Sequence, residues 1–357
     1  MSLSREVDLI VPGPLDLLTG GYVYDRRIFE ELADAGWKTS VHAVDPSFPE
    51  PDPSALQAAC RILDGIPDGR LVVVDGLALS GLVPVLADAV KRLRIVALIH
   101  HPLALETGLD DGAQSRLRAL ETRALGMVGP VIVTSPWTRR ILADFEVAAG
   151  RVSVVLPGVD RPALDPARAG APDPGKTVRL LKVATVTPRK GHAVLIDALG
   201  TLQDLDWTLR CAGSLTLDPA TSADLRESIR HKGLEQRVAL LGELEPAVVA
   251  TEYPQADVFV LASHLEGYGM VVAEAIAYGL PVIATNSGAV AETLSAGAGV
   301  LVPPADPIAL ADAIRSLIID REKLASLAAG ARSAAASIPT WKESAHQFGN
   351  ALAAAAY

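Results

Sequence analysis

Short runs of β-branched and aliphatic residues alternate with alanine- and leucine-rich stretches of helical period, and this alternation occurs twice along the chain. In the first half the runs EVDLIVPG, KTSVHAV, LVVVDGL, IVALIHH and VIVTSP are separated by helical segments such as YVYDRRIFEELADAG, which stops at Gly36. Short, continuously apolar runs of this kind form strands buried on both faces, in a mainly parallel sheet covered by helices. A proline- and glycine-dense stretch, PGVDRPALDPARAGAPDPGKTVR from Pro157 to Arg179, then breaks the pattern as a linker. LLKVATV, WTLRCAG, VALLGEL, VFVLAS, PVIAT and AGVLVPP restart it without repeating the first half. The expected fold is α/β, with two Rossmann-like doubly wound domains facing a central cleft. The first covers residues 1–162, a linker 163–178, the second domain 179–338, and a terminal helix 339–357 crosses back to the first. Open sheets of this type bind ligands outside the carboxyl ends of their strands, so motifs that follow strands carry the functional argument.

The 357 residues exceed what one core normally organises, and half of them are apolar, enough for two cores. A net charge of −10 argues against a broadly basic surface for nucleic acid, though a local basic pocket for a phosphorylated ligand is compatible with it. The two cysteines, Cys60 and Cys211, are far apart and form no CxxC, so neither a disulfide framework nor a thiolate zinc site is expected. No signal-like opening and no spanning apolar run is read, which makes the expected location cytoplasmic.

The stretch SHLEGYGMVVAEAIAYGLPVIA, Ser263 to Ala284, places two glutamates in otherwise apolar sequence. Carboxylates are seldom buried without a partner or a ligand. The strand ADVFVLAS ends near Ser263, and a helix runs from about Met270 to Tyr278, with Gly279 as its stop. Glu266 therefore lies on the loop and Glu274 one turn into the helix. Gly267 and Gly269 allow a tight turn and close ligand approach. Free N–H groups around Gly269, Met270 and Val271 suit an anionic phosphate. The alternative is a loop charge and a solvated helix residue, against which stands the apolar setting VVAEAIA.

This segment resembles the E-x7-E motif of glycosyltransferase family 4, retaining enzymes of the GT-B fold. The resemblance extends over ADVFVLASHLEGYGMVVAEAIAYGLPVIATNSGAVAETL. It implies that Glu266 contacts the transferred sugar and Glu274 the ribose hydroxyls. It also implies that the backbone of Gly267, Tyr268, Gly269 and Met270 binds sugar hydroxyls and phosphate. VATVTPRKGH is similar to the family's phosphate-binding GRLxxxKG element: Lys190 and Gly191 match, while the family's arginine falls at Thr185. Arg189 is an alternative cation at a different spacing. Gly20 and Gly21 correspond to the family's glycine pair after the first strand, where backbone approaches the donor phosphate. His100 corresponds to a strand-end histidine near the donor sugar, with His101 as the alternative. A neutral imidazole there would bond a sugar hydroxyl or assist proton movement.

Other signals read as ordinary surface chemistry. The DxD of Asp204 to Asp206 precedes a strand, the wrong sheet end for a ligand, and Asp110 and Asp111 have no third ligand nearby in sequence. No metal and no cofactor are expected. The expected activity is metal-independent, retaining transfer of a hexose from a nucleotide diphosphate sugar, with UDP-sugar favoured over GDP-sugar. His100, Lys190 and Glu266 are the catalytic candidates. The acceptor is left open among saccharide, lipid-linked and small-molecule classes, as is peripheral membrane contact; nucleic acid is not an expected partner. A GT-B sugar-nucleotide epimerase and a non-catalytic nucleotide-sugar-binding protein are the alternatives.

Overall fold

In the computed structural model, which describes residues 5–162 and 176–355, the first five apolar runs become β1 (Glu6–Pro12), β2 (Lys38–Val44), β3 (Leu71–Asp75), β4 (Arg94–Ile99) and β5 (Val131–Val133). A short β6 (Val152–Val154) joins them. The second half supplies β7 (Val178–Val183), β8 (Trp207–Ala212), β9 (Val238–Gly242), β10 (Val258–Leu261), β11 (Val282–Thr285) and β12 (Gly299–Val302). Of the linker expected over 163–178, residues 163–175 lie outside the described residues, and Val178 already pairs as the first residue of β7.

The chain divides into two units: residues 1–158 together with 339–357, and residues 159–338. Helices α1 (Gly20–Asp34), α2 (Pro53–Gly65), α3 (Gly76–Leu79), α4 (Val83–Ala89), α5 (Asp111–Met127) and α6 (Pro136–Ile141) belong to the first unit. The second holds α7 (His192–Gly200), α8 (Pro219–His231), α9 (Pro246–Glu252), α10 (Met270–Ala277), α11 (Val290–Thr293), α12 (Pro307–Ile319) and α13 (Arg321–Ala335). The last helix, α14 (Trp341–Ala355), returns to the first unit and packs on α1, with Phe348 6.3 Å from Phe29 and Trp341 6.2 Å from Tyr24, ring centre to ring centre.

Aspartate side chains start many of these helices. Asp52 accepts from Ala55 N at 2.8 Å, Asp110 from Ala113 N at 2.7 Å and Asp306 from Ala309 N at 2.9 Å. Each such cap is worth about 1 kcal/mol. Asp110, a metal candidate by composition alone, is thus a helix cap.

Each sheet is parallel throughout, in the order β2-β1-β3-β4-β5-β6 in the first unit and β12-β11-β10-β7-β8-β9 in the second. β3 is buried over its whole length, and Phe259, Val260 and Leu261 of β10 are fully buried, as two helical layers require. The order reverses direction between β1 and β3 in one unit and between β7 and β10 in the other. At such a switch point the loops leave the carboxyl edge to opposite faces and open a crevice. The loops after β1, β3, β7 and β10 are therefore where a ligand site belongs.

Packing of backbone on backbone also fixes α13. A Cβ added at Gly330 would lie 2.0 Å from the Gly297 carbonyl oxygen. Alanine normally favours a helix over glycine by about 1 kcal/mol, so G330A would be stabilising on propensity alone. Here the clash reverses the sign: G330A is expected to lower Tm, at a cost of about 1–3 kcal/mol. G126A in exposed α5, with nothing within 4 Å of the added carbon, is expected to raise Tm. Thermal denaturation of the two variants checks this.

Candidate active site

In the second unit the loops after β7 and β10 are latched together. β7 leads into a single 3-10 turn, Pro188–Lys190, and Gly191 then takes a left-handed φ of +62° before α7 begins. A side chain at 191 is excluded twice, by that φ and because a Cβ would sit 1.9 Å from the Ala262 carbonyl oxygen at the end of β10. The backbones meet next door, where His264 N donates to the Arg189 carbonyl at 2.7 Å. The Arg189 guanidinium answers by donating to the Leu265 carbonyl at 2.9 Å.

This latch sets the side chains. Lys190 Nζ donates to Glu266 Oε1 at 2.7 Å, and Arg189 Nη1 lies 3.8 Å from Glu266 Oε2. Glu266 is buried at 6% exposure. Burial alone would raise its pKa; the Lys190 and Arg189 charges, with hydrogen bonds from Lys190 and Ser263, outweigh that and hold it below the usual value. It is a charged, cation-bound carboxylate. Three residues of loop follow, and the last of them, Gly269, precedes α10 in a left-handed conformation with no side-chain cap. Val272 N turns to the Gly269 carbonyl at 2.9 Å, and no side chain caps the start of the helix, beside half-buried Gly267 and Met270 and buried Tyr268, where an anion could be met. Glu274 is half-buried on α10, and its Oε2 accepts from the Tyr253 hydroxyl at 2.6 Å. Tyr253 is itself buried and stacked on Tyr278, with ring centres 4.8 Å apart. The two glutamates of the motif are held by different partners.

The first unit builds a second cluster at its own switch point. α1 begins at Gly20 directly after the β1 loop, and one turn on it places Asp25, 1% exposed. β3 ends on Asp75, whose Oδ1 accepts from Leu77 N at 2.7 Å and caps α3. His100, just after β4, sets its Nε2 between them, 3.1 Å from Asp25 Oδ1 and 3.2 Å from Asp75 Oδ2. Tyr24 packs edge-on against the imidazole at 5.3 Å. Gly21 is what admits the ring, since a Cβ there would lie 3.2 Å from His100 Cδ2. His101 turns instead to Glu106, at 3.2 Å.

The charge state of His100 differs from the neutral imidazole expected from sequence. Burial pulls its pKa down, but Asp25 and Asp75, by charge and hydrogen bond, push it up to about 10. Asp25, raised by burial and by Asp75 and lowered by His100, comes to about 7. His100 is therefore an imidazolium at neutral pH, a hydrogen-bond donor and not a base. The ligand atoms of Asp25, Asp75 and His100 lie within 4.8 Å of one another, a spacing a cation could use. A cation there would have to displace the proton the ring carries.

Sequence reasoning did not find Asp25, Asp75 or Tyr253. The signals were present. Asp25 lies on the same helical face as Ile28, Phe29 and Leu32, all buried, and Asp75 closes a wholly apolar strand.

Residues 166–334 match the family described as Glycosyl transferases group 1, and residues 18–161 match Glycosyltransferase Family 4. A relative named D-inositol 3-phosphate glycosyltransferase 1, from Catenulispora acidiphila, is 31% identical over 286 residues, covering 74% of this chain and 68% of the relative. The chain belongs to glycosyltransferase family 4. A further relative of this family 4 chain, D-inositol 3-phosphate glycosyltransferase from Corynebacterium glutamicum, is 29% identical over 68% of the chain and 63% of its own length. One from Xylanimonas cellulosilytica is 34% identical over 52% and 47%. The chain thus spans about half to two thirds of the length of the curated relatives it matches. Among solved structures, sucrose-phosphate synthase from Thermosynechococcus elongatus superposes with a TM-score of 0.79 at 23% identity, covering 97% of each chain. Anabaena HepE in complex with UDP-glucose superposes with a TM-score of 0.78 at 18% identity, covering 98% of this chain and 99% of its own. These likenesses show the fold, GT-B with two Rossmann-like units. Among the described residues no helix is long and apolar enough to cross a membrane.

The clamp on His100 is measurable in the family 4 chain without any ligand. The His100 imidazole is expected to stay protonated from pH 5 to above pH 8 in NMR titration. Asp25→Asn removes the larger of the two supports and is expected to bring its titration down toward the ordinary histidine range, about 6.5.

Proposed function

We propose that the chain transfers a hexose from a nucleoside diphosphate sugar to an acceptor, with retention of configuration and without a metal ion. The observation that carries this reading is the pair of half-buried Lys190 and buried Glu266 in the loops that lead to an N-terminus of α10 lacking a side-chain cap. Transfer of a glycosyl group loads negative charge onto the departing diphosphate, and catalysis requires that charge to be met by fixed positive groups. Lys190 supplies one as a compact ammonium. The N–H groups of Gly269 and Met270, at the positive end of the α10 dipole, supply others, with Gly267 and Tyr268 lining the turn.

Glu266 accepts from hydroxyls of the transferred sugar. Glu274 accepts from the ribose; a carboxylate takes up to four hydrogen bonds, so the Tyr253 hydroxyl on Oε2 leaves capacity for it. Arg189, bonded to the Leu265 carbonyl, acts mainly by holding the two loops together. In the first unit, which we assign to the acceptor side, His100 donates from a charged ring, and Gly20 and Gly21 start α1 close enough to seat it. We favour uridine as the base, the one bound by HepE. The acceptor is a saccharide, a lipid-linked glycan or a small molecule. Two free thiols, Cys60 and Cys211, suit a cytoplasmic setting.

The test is release of nucleoside diphosphate from a panel of nucleotide sugars in the presence of cell extract, with nucleotide affinity measured by calorimetry. Glu266→Ala is expected to abolish transfer while sparing nucleotide binding. Glu274→Ala is expected to weaken nucleotide binding by roughly 10- to 100-fold, the worth of hydrogen bonds to a charged group. Full activity in both variants would sink the site assignment. Binding without release from any donor would favour a non-catalytic nucleotide-sugar-binding protein.

A further inference from the structure

β7 is an interior strand, paired to β10 on one side and β8 on the other. Its neighbours in sequence, Leu180 and Leu181, are core residues, yet the fifth residue of the strand is Lys182, with no exposed surface at all. Among the described residues its ammonium makes one hydrogen bond, to the Lys190 carbonyl at 2.8 Å, and no ion pair. A buried, unpaired cation is costly, and a methionine or leucine would fill the same strand position without that cost.

The groups that face Lys182 come from every element around it. From the 3-10 turn comes Lys190, and from the loop after β10 comes Glu266. From β8 comes the Cys211 thiol, pushed up to about 12 chiefly by burial, and so uncharged. From α7 comes His192, 3% exposed, with neither ring nitrogen finding a partner among the described residues. Burial and the two lysines hold it well below the usual value, so it is neutral. Lys182 is thus a fully buried cation whose one hydrogen bond among the described residues goes to a neutral carbonyl, and a bound anion is the chemistry that would offset its charge.

We propose that Lys182 is a positioning residue of the donor site, which holds the Lys190 carbonyl, and so the turn that aims Lys190, while adding from behind the sheet part of the positive charge that a nucleoside diphosphate balances. The inference rests on the reading of this site as a nucleotide-sugar site. It also accounts for the lysine surviving in an apolar strand: the cost of burying it is offset when the diphosphate binds.

Lys182 gives this role a pH signature. Burial lowers its pKa to about 8; Lys190 adds to the fall, while Glu266 opposes it. Above pH 8 the ligand-free site loses the Lys182 charge, so affinity for a diphosphate drops. Its effect on fold stability has the opposite sign. The folded value lies below the ordinary 10.5, so this contribution is fully present above pH 10.5 and is lost as pH falls through about 8.

The test is calorimetric binding of UDP at pH 7 and pH 9 to the wild-type chain, K182M and K182Q. The wild type is expected to bind about tenfold more weakly at pH 9. K182M is expected to bind about tenfold more weakly than wild type at pH 7, to lose the wild-type fall at pH 9, and to melt at a higher temperature. Its profile also subtracts the titration of UDP itself. K182Q retains an N–H donor for the Lys190 carbonyl without the charge, and carries the same test if K182M fails to fold. Wild-type affinity and an unchanged pH profile in these variants would overturn the inference alone. A wild-type chain that binds none of UDP, GDP or ADP would overturn the donor-site reading and the inference together.

Discussion

The ion pair between Lys190 and Glu266, 2.7 Å long and buried on its carboxylate side, depends on nearly every level of the structure beneath it. The partners are 76 residues apart in sequence. They meet because β7 and β10 are neighbours at the point where the sheet reverses its order, and because Gly191 lets the two loops touch backbone to backbone. Within a low-dielectric setting such a pair is firm only if each member is also held elsewhere. Lys182 holds the Lys190 carbonyl, and Ala289 N donates to the Glu266 carbonyl at 2.9 Å. The side chains are fixed because their main chains are.

The same topological device appears in the first unit with the charges exchanged. There a single imidazolium lies between two buried carboxylates, and the strand order again reverses between the strands that precede Asp25 and Asp75. One unit gathers cations on a carboxylate; the other gathers carboxylates on a cation. Sheet topology explains where each cluster sits, and the residue types explain what each offers a ligand. The arrangement around His100 also gives Gly21 a physical purpose besides the phosphate approach expected from sequence: it makes room for a ring.

Most of the fold was legible because strands buried on both faces need long apolar runs, and those stand out against the helical period between them. β6 escaped because three residues, one of them an exposed serine, carry no such run. Glu266 and Glu274 were legible because they interrupt apolar sequence after a strand and early in a helix, and Lys190 because it fits the phosphate-binding element that the resemblance implies. Asp25, Asp75, Lys182 and Tyr253 were not, because a polar residue inside an element takes its meaning from a partner elsewhere in the chain. Asp25 needs His100, 75 positions away, before it is anything other than one more acid on a helix. The charge on His100 was misread for the same reason, since the neutral form is the default only for an imidazole without carboxylates against it.

The return of α14 to the first unit has a consequence for synthesis of the chain. The second unit, residues 159–338, is contiguous and has all its strands once Ile338 is made. The first unit is started earlier but closed later, because Tyr24 and Phe29 of α1 wait for Trp341 and Phe348 to cover them. Contacts that span so much sequence are slow to form, and apolar surface left uncovered meanwhile is open to association. A growing chain thus completes its second unit before its first, and the six-stranded sheet begun at Glu6 keeps one flank open until the final helix emerges.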